Sequence, residues 1–523
     1  MNQTHVPVPG SAQPPGDRTR GMNRWMTLLV VSIGAFMGNL DVSIVNISLP
    51  AIAHTFGTSI SGSLEWVVIG YLIVIASVLL TIGRLADTLG RKPIWVTGLV
   101  VFTAGSALCG AAPTLPLLIG ARGLQGLGAA CLMAVGPAIL TGGFPPQERG
   151  RALGLITVTI ALSISLGPTL GGLITQHFTW RGIFYVNVPL GLAGIWLALR
   201  LLRERQMPQR KIRFDVPGAL CLAVGLGALL TGLSFGQQWG WTSPPVIALV
   251  ILSVYALGSL LLVERFAEYP LFARSFLTNR VFLSANVSLA LGMLALFAIN
   301  VLVPFYLVEV RAFSPAQAGL LLTPLPLTFA LVSPFSGSLA DRIGTRWLAA
   351  GGLALLCLGL VLVSQLNATS SLWDMLWRLA CVGLGQALFL APNDSALMGS
   401  MSREEQGIAS GFMQTSQIAG QSLSVALAGA IFALASGALA GHILAAGHGT
   451  TQTLVLAHHL FFHGFQAALL VCAALAALGI LTSLVRGKER PVNAPGQSSA
   501  ENKAPAYPAE ARTNHLHAVT EET

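Results

Sequence analysis

Four polar residues suited to proton exchange lie within long apolar stretches of this 523-residue chain. Asp41 is the only acid in the first stretch, and Arg122 lies with Gln125 in the fourth. A carboxylate in a low-dielectric environment can take up and release protons near neutral pH, and a nearby guanidinium biases that equilibrium. Asp394, near the end of the twelfth stretch, is a second candidate acid. We predict a proton-coupling site; the alternatives are a structural role for Asp41, an Arg122 that extends to the membrane interface, and a polar helix tip at Asp394.

The elements that must position these residues are membrane spans. Charged residues make up 9% of the chain and hydrophobic residues 54%, and the mean hydropathy is +0.71. A soluble domain carries about 25% charged residues, so the composition excludes a soluble enzyme and a disordered protein. The net charge of +9 does not indicate nucleic-acid binding, because the basic residues stand in short clusters between apolar stretches. The composition predicts an all-α polytopic membrane protein.

Fourteen apolar stretches are each long enough, at about 20 residues, to cross a bilayer. They begin near Trp25, Leu64, Ile94, Leu115, Arg151, Ile183, Val216, Val246, Val281, Ala316, Trp347, Leu372, Ile408 and Phe461. If both termini are cytoplasmic, 25 of the 29 Lys and Arg residues lie on the inner side, and only Arg181 and Arg311 lie on the outer side. This asymmetry follows the positive-inside rule and requires an even number of spans.

An internal repeat divides the chain into two halves. The segment GRLADTLGRK (Gly83–Lys92) recurs 254 residues later as GSLADRIGTR (Gly337–Arg346), and GRALG recurs 257 residues later as GIASG. A shared offset indicates duplication, and it predicts two pseudo-symmetric six-helix bundles with two extra helices between them. The predicted domains are a disordered N-terminus (1–23), a first bundle (24–205), two linker helices (206–270), a second bundle (271–486) and a disordered tail (487–523).

The repeated loop predicts a gating latch on the cytoplasmic side. A carboxylate beside basic residues at a helix terminus can hold two halves together through charge and helix-dipole contacts. The alternative is a set of ordinary loop charges that obey the positive-inside rule. The predicted latch residues are Gly83, Asp87, Gly90, Arg91, Lys92, Asp341, Arg342 and Arg346.

Two polar faces are candidates for substrate binding. In the thirteenth stretch, Ser410, Gln414, Gln417, Gln421 and Ser424 share one helical face. Lipid cannot satisfy the hydrogen-bonding groups of that face, so the face either lines a transport path or joins the two halves. In the ninth stretch, amide, thioether and aromatic side chains share one face. They form either the wall of a binding site that accepts varied ligands or ordinary core packing. The substrate-binding candidates are Asn286, Met293, Phe297, Asn300, Gln414, Gln417, Gln421 and Asn393.

The fifth stretch contains LGPTLGG, with Gly167, Pro168, Gly171 and Gly172. Glycines four residues apart let helices approach closely, and proline weakens a helix so that it can bend. The equivalent stretch of the second half reads QSLSVAL and lacks this pattern. We predict a close-packed, bendable seam between the halves at these four residues.

These motifs, together with LDVSIVNISLPAIA (Leu40–Ala53) and WRGIFYVNVPLG (Trp180–Gly191), resemble the major facilitator superfamily, and within it the fourteen-span drug:proton antiporters of EmrB/QacA type. The resemblance runs from about Arg24 to Arg486, although Thr88 departs from the loop signature. It implies proton-coupled export of hydrophobic, often cationic drugs, dyes or antibiotics. It also assigns Arg122 and Gln125 to proton transfer and GPTLGG to antiport. The alternative is a proton-coupled transporter of one specific metabolite on the same fold.

The remaining expectations concern energy, partners and location. The sequence has no GxxxxGK[ST] phosphate loop, so we expect the proton-motive force, rather than ATP or a cofactor, to drive transport. We expect no enzyme activity, no metal site and no nucleic-acid partner. The expected partners are small hydrophobic or cationic substrates, protons and the lipid bilayer, and a periplasmic adaptor protein stays open. The expected location is the bacterial cytoplasmic (inner) membrane, with multiple spans and both termini cytoplasmic.

Deleting the tail after Lys488 should leave transport unchanged. The tail is polar and has no apolar periodicity, so it cannot pack against the bundle. The measurement is dye efflux by cells that express the truncated and the full-length chain at equal levels. Lost efflux at normal expression would show that the tail docks on the rest of the protein.

Overall fold

The computed structural model describes residues 23–58, 63–144, 148–202, 216–266, 279–401, 406–437 and 451–486, and every regular element in these ranges is helical. The predicted disordered ends fall almost entirely outside the described residues and stay predictions. Thirteen described segments are long and apolar enough to cross a bilayer. The fourteenth predicted span is the helix Pro244–Phe266, whose described apolar stretch is Pro244–Leu260. The predicted architecture of six, two and six helices is confirmed.

The helices follow one another with short connections. The first half contains α1 (Asn23–Phe56), α2 (Trp66–Leu89), α3 (Arg91–Ala111), α4 (Leu115–Gly143), α5 (Arg149–His177), and a sixth span built from α6 (Gly182–Tyr185) and α7 (Asn187–Leu201). The two extra helices are α8 (Val216–Trp239) and α9 (Pro244–Phe266). The second half contains α10 (Arg280–Leu296), α11 (Ile299–Phe305), a π-helical turn (Tyr306–Val310), α12 (Pro315–Leu322), α13 (Pro324–Ile343), α14 (Thr345–Ser364), α15 (Leu372–Gly399), α16 (Gln406–Phe432) and α17 (Thr451–Leu484).

The two halves repeat the same helix pairings. Helix α4 packs against α2 and α3, and α15 packs correspondingly against α13 and α14. Glycines let the backbones touch at the same crossing in each half. A Cβ atom added at Gly128 would lie 2.8 Å from the carbonyl oxygen of Gly98, and one added at Gly385 would lie 3.0 Å from that of Gly352. Small residues at such crossings are typical of packing within a bilayer.

The repeated loop makes the same turn in both halves. Gly90 (φ 96°) joins α2 to α3, and Gly344 (φ 90°) joins α13 to α14. A residue with a side chain rarely adopts this backbone conformation. The glycines are therefore required by the abrupt reversal between consecutive spans.

One contact between the two halves lies near an end of the bundle. We call the end that carries Arg24, Arg91 and Lys92 the basic end, and the end where α1 finishes at Phe56 the opposite end. Near the opposite end, α5 of the first half packs against α12 of the second half. The hydroxyls of Thr169 and Thr323 lie 2.8 Å apart there.

Two backbone contacts make this seam between α5 and α12 especially close. A side chain at Gly172 would meet the carbonyl oxygen of Pro315, and one at Gly319 would meet that of Pro168. In addition, His54 Nε2 on α1 lies 2.8 Å from Glu309 Oε1 in the π-helical turn. These contacts close the opposite end between the halves.

Only part of the LGPTLGG pattern lies in the seam. A Cβ atom added at Gly171 would lie 2.8 Å from Ile44 Cγ1 on α1, and one added at Gly167 would meet Ser43. Both glycines therefore face α1 within the first half, whereas Gly172 and Pro168 contact the second half. The predicted seam is present, but two of its four residues pack elsewhere, because consecutive helical residues point about 100° apart.

The extra helix α8 contacts both halves. It packs against α2 and α16, and the Thr81 hydroxyl donates to the carbonyl of Ala219 on α8 at 3.3 Å. Near the opposite end, Trp66 stacks on Phe235 with ring centroids 3.8 Å apart, and Phe235 stacks on Trp239 at 4.0 Å. Helix α8 thus covers the line where α2 meets α16.

Gly172→Leu should destabilise the protein, because the new side chain would enter the space occupied by the α12 backbone. Overpacking of this kind costs about 1–3 kcal/mol. The matched control is Gly154→Leu on the same helix, where an added Cβ atom meets nothing within 4 Å. The measurement is the midpoint of thermal unfolding in detergent. Equal midpoints for the two variants would contradict a close contact at Gly172.

Candidate functional site

A buried ion pair joins α1 to α4. Arg122 Nη1 donates to Asp41 Oδ2 at 2.5 Å and to Gln125 Oε1 at 2.7 Å, and Gln125 Nε2 donates to Asp41 Oδ1 at 2.8 Å. Asp41 and Gln125 are 0% exposed and Arg122 is 1% exposed. The structure thus brings together three of the four residues predicted to couple protons.

Three further residues complete this polar cluster. Asn187 Nδ2, at the start of α7, donates to Asp41 Oδ1 at 3.3 Å and to the Ser106 hydroxyl of α3 at 3.2 Å. The Arg122 guanidinium lies over the ring of Tyr71, 4.1 Å from its centroid. The sequence did not predict that these three residues belong to the site. Asn187 stands within the quoted WRGIFYVNVPLG segment, but nothing in that segment says which helix it faces.

Asp41 is the acceptor in every hydrogen bond that its side chain makes within the cluster. Its two carboxylate oxygens accept from Arg122, Gln125 and Asn187, and such charge-assisted bonds offset the cost of burying the charge. Adding a proton to Asp41 would remove the negative charge that holds Arg122 in place.

The second half has no equivalent cluster among its described residues. Arg378 corresponds to Arg122 in the repeat, but its Nη2 donates to Asp374 Oδ2 at 2.9 Å on the same helix. The pair is partly exposed, with side-chain exposures of 13% for Arg378 and 29% for Asp374. The duplicated arginines therefore occupy different environments.

A central cavity of about 480 Å³ lies between the two halves. One face of α1 lines it through Asn39, Ser43 and Asn46, whereas Asp41 lies outside the lining. Helix α1 is thus a shared wall between the cavity and the polar cluster. The second half contributes Met293, Phe297, Asn300, Gln386, Asp394, Gln414, Gln417 and Gln421.

The cavity gathers most of the predicted substrate-binding residues. Six of the eight candidates line it, which shows that the glutamine face of α16 borders the cavity. The two others lie outside the lining. Asn286 Nδ2 donates to Phe282 O on its own helix at 3.0 Å, and Asn393 Nδ2 donates to Ala285 O at 3.2 Å.

Asp394 lies apart from the other predicted proton-coupling residues. It lines the cavity from α15, while its neighbour Asn393 accepts a hydrogen bond from Arg486 Nη2. Arg486, at the predicted end of the second bundle, is 0% exposed. The end of α17 packs into the bundle beside α10 and α14.

The described latch residues contact their own half. Arg91 Nη1 donates to Ala138 O on α4 at 2.8 Å, and Lys92 Nζ donates to Leu199 O on α7 at 3.4 Å. Arg342 is exposed, and the Arg346 guanidinium lies over Trp347. The side chains of Asp87 and Asp341 lie outside the described residues, so the latch stays a prediction.

The family model of the Major Facilitator Superfamily matches residues 31–417 and 285–518. The chain belongs to the Major Facilitator Superfamily. It is 33% identical over 537 aligned positions to the multidrug resistance protein Stp of Mycobacterium tuberculosis, covering 95% of this chain and 99% of the relative. It is 33% identical over 414 positions to the riboflavin transporter RibZ of Clostridioides difficile, covering 78% and 87%. The puromycin resistance protein pur8 of Streptomyces alboniger is 30% identical over 509 positions, covering 96% and 98%.

Solved structures share the fold. A bacterial homolog of the human lysosomal transporter Spinster, in an inward-facing and unoccupied conformation, has a TM-score of 0.65 at 15% identity, covering 89% of this chain and 97% of that one. The xylose transporter XylE from E. coli, in a partially occluded inward-open conformation, has a TM-score of 0.56 at 15% identity, covering 88% and 96%. This superfamily member is a multi-pass membrane protein of the transporter type.

Arg122→Lys should slow transport about tenfold or more. A lysine keeps the charge, but its three N–H groups lie on one atom and cannot replace the bonds that Arg122 Nε makes to Val67 O and Nη1 makes to Asp41 and Gln125. Each lost bond to a charged group costs about 1.5–3 kcal/mol. Arg378→Lys is the matched control from the second half and should change the rate less than threefold, since its pair is partly exposed. Initial transport rates in proteoliposomes measure the effect of each substitution. Equal losses would contradict a special role for the buried pair.

Proposed function

We propose that this protein is a proton-coupled antiporter that exports hydrophobic, often cationic drugs, dyes or antibiotics. The observation that carries the proposal is the shared wall α1, with the Asp41 cluster on one face and the cavity on another. A change in the protonation of Asp41 acts on the same helix that contacts the cargo. One rigid element can therefore couple the two events without a direct contact between proton and substrate.

The relatives support export as the direction. Several are named for resistance: Stp for multidrug resistance, pur8 for puromycin resistance, and proteins from Streptomyces for methylenomycin A resistance and for tetracenomycin C resistance and export. A transporter confers resistance by removing the compound from the cell. The cavity size suits a drug-sized ligand, for which pockets of about 300–1,000 Å³ are typical.

Alternating access gives the sequence of events. In the present arrangement the seam of α5 and α12 closes the opposite end, which the positive-inside rule places outside the cell. Substrate enters the cavity from the basic, cytoplasmic end. Release outside requires the seam and the His54–Glu309 contact to open, and a proton then binds Asp41 from outside. Return to the present arrangement releases the proton into the cytoplasm.

The close packing of the seam has a role in coupling. The backbones of the two halves touch at Gly172 and Gly319, which leaves no space for water at these two contacts. A carrier that excludes water there cannot conduct protons continuously. Exchange then requires the whole bundle to change its conformation.

The second candidate is a transporter for one defined metabolite. The similarity to the riboflavin transporter RibZ favours this alternative. A broad panel of compounds distinguishes the two functions, because a specific transporter moves one compound and its close analogues. Resistance to several unrelated drugs in an efflux-deficient host would support the multidrug function.

The proposal includes a membrane location and an energy source. We infer the cytoplasmic membrane of a bacterium, with both termini cytoplasmic, and the proton-motive force as the energy source. Small molecules are the substrates of this transporter family, and catalysis of a chemical reaction is not expected of it. Whether a periplasmic adaptor binds the outer face is a separate proposal that co-purification from a native membrane tests.

Asp41→Asn should abolish proton-driven efflux while the protein still inserts into the membrane. The amide has nearly the same volume as the carboxyl group but cannot bind a proton for transport. The measurement is dye efflux from energised vesicles, with Asp374→Asn as the control for loss of an acid at a partly exposed pair. Wild-type rates in Asp41→Asn would remove Asp41 from the mechanism.

A further inference from the structure

The cavity contains an unusual number of carboxamide side chains. Seven line it: two on α1, Asn300 on α11, Gln386 on α15, and three on α16. Among the described residues, the side chains of Asn300, Gln386, Gln414 and Gln417 make no hydrogen bond to the protein. Each free carboxamide offers two N–H donors and a carbonyl oxygen that can accept two hydrogen bonds. The cavity wall therefore has balanced donor and acceptor capacity that the fold does not use.

Besides Oδ1 of Asp394 on α15, two buried polar atoms among the lining residues have no hydrogen-bond partner within the described residues. They are the side-chain oxygen of Asn46, a residue that is 5% exposed, and the indole Nε1 of Trp95, a residue that is 1% exposed. Buried polar groups in proteins are almost always hydrogen-bonded, so an acceptor and a donor left unsatisfied beside a cavity indicate a ligand that binds them. They lie on α1 and α3, in the half opposite the glutamines.

The rest of the lining restricts the shape and charge of that ligand. Phe297, Phe329, Met133 and Met293 provide apolar and aromatic surface for a flat ring system. Asp394 is the only charged residue among the described lining residues, and the buried Arg486 acts on it electrostatically, so the cavity offers at most one negative charge to a ligand. A lipophilic cation without hydrogen-bonding groups would displace water from the carboxamides without replacing its hydrogen bonds. The cost of these unsatisfied groups strongly disfavours binding of such a cation.

We propose that the cavity selects planar polycyclic compounds that carry several carbonyl, imide or hydroxyl groups and at most one positive charge, in preference to lipophilic cations that lack such groups. This inference rests on the proposed export function and specifies its substrate class. The carboxamides of α16 and α15 bind the polar edge of the ring system, and the methionine and phenylalanine side chains contact its faces.

The test compares two probes on the full-length protein in lipid nanodiscs. Riboflavin is uncharged and carries two ring carbonyls, an imide N–H and a hydroxylated chain; tetraphenylphosphonium is a permanent cation without donors or acceptors. Gln414→Met/Gln417→Met removes two carboxamides at nearly constant volume, and Gln386→Met is a second variant on another helix. Gln365→Met, at an exposed position after α14, is the control. Thermal unfolding confirms that each variant is folded.

We expect wild-type protein to bind riboflavin at least about tenfold more tightly than tetraphenylphosphonium. Losing two hydrogen bonds of about 0.5–1.5 kcal/mol each should weaken riboflavin binding about tenfold in the double variant, and tetraphenylphosphonium binding less than twofold. Tighter wild-type binding of tetraphenylphosphonium would overturn the inference. Equal weakening of the binding of both probes would also overturn it, because the carboxamides would then bind water in the cavity rather than the ligand.

Transport measurements separate this inference from the export proposal. In proteoliposomes with a proton gradient, export of tetraphenylphosphonium but not riboflavin would refute the substrate class and leave export standing. Riboflavin that binds with the expected dependence on the glutamines, but moves in neither direction under a gradient, would support the site and refute export.

Discussion

The ion pair of Asp41 and Arg122 is the interaction around which the first half is arranged. Two charges inside an apolar bundle must be paired and hydrogen-bonded, and satisfying them involves several helices at once. Arg122 on α4 donates to Asp41 on α1 and to Val67 O on α2. Ser106 on α3 and Asn187 on α7 extend the network. Five helices are therefore held in register by one cluster, and the face of α1 that carries Asp41 must point into the first half.

That constraint also determines what the cavity contains. Once Asp41 faces the cluster, Asn39, Ser43 and Asn46 on other sides of α1 line the cavity. The Asp41 cluster and the cavity are separated by the width of one helix. A local change in charge on one face of α1 can therefore shift the wall of the cavity, which is the physical basis of the proposed coupling.

The two halves are similar in their backbone packing but differ in their buried polar residues. The glycine crossings and the positive-φ turns are the same in both halves, because they serve close packing and chain reversal. The polar residues differ. The first half has the buried ion pair, whereas Arg378 in the second half binds an acid on its own helix, and the second half supplies the glutamines and Asp394. The proposed division of labour assigns the proton to the first half and most of substrate binding to the second.

The sequence by itself determined the all-α class, the fourteen spans and the duplication, because apolar length, charge placement and repeated motifs are properties of the chain. It also showed which residues share a helical face, such as Gln414, Gln417 and Gln421. Only the tertiary structure decided which neighbour each face meets. Gly172 contacts the second half and Gly171 contacts α1, although they are adjacent in sequence. Asn187 joins Asp41 across 146 residues, and Arg486 is buried against Asn393 rather than solvated. Helix rotation and packing determine such contacts, and periodicity within one helix does not specify them.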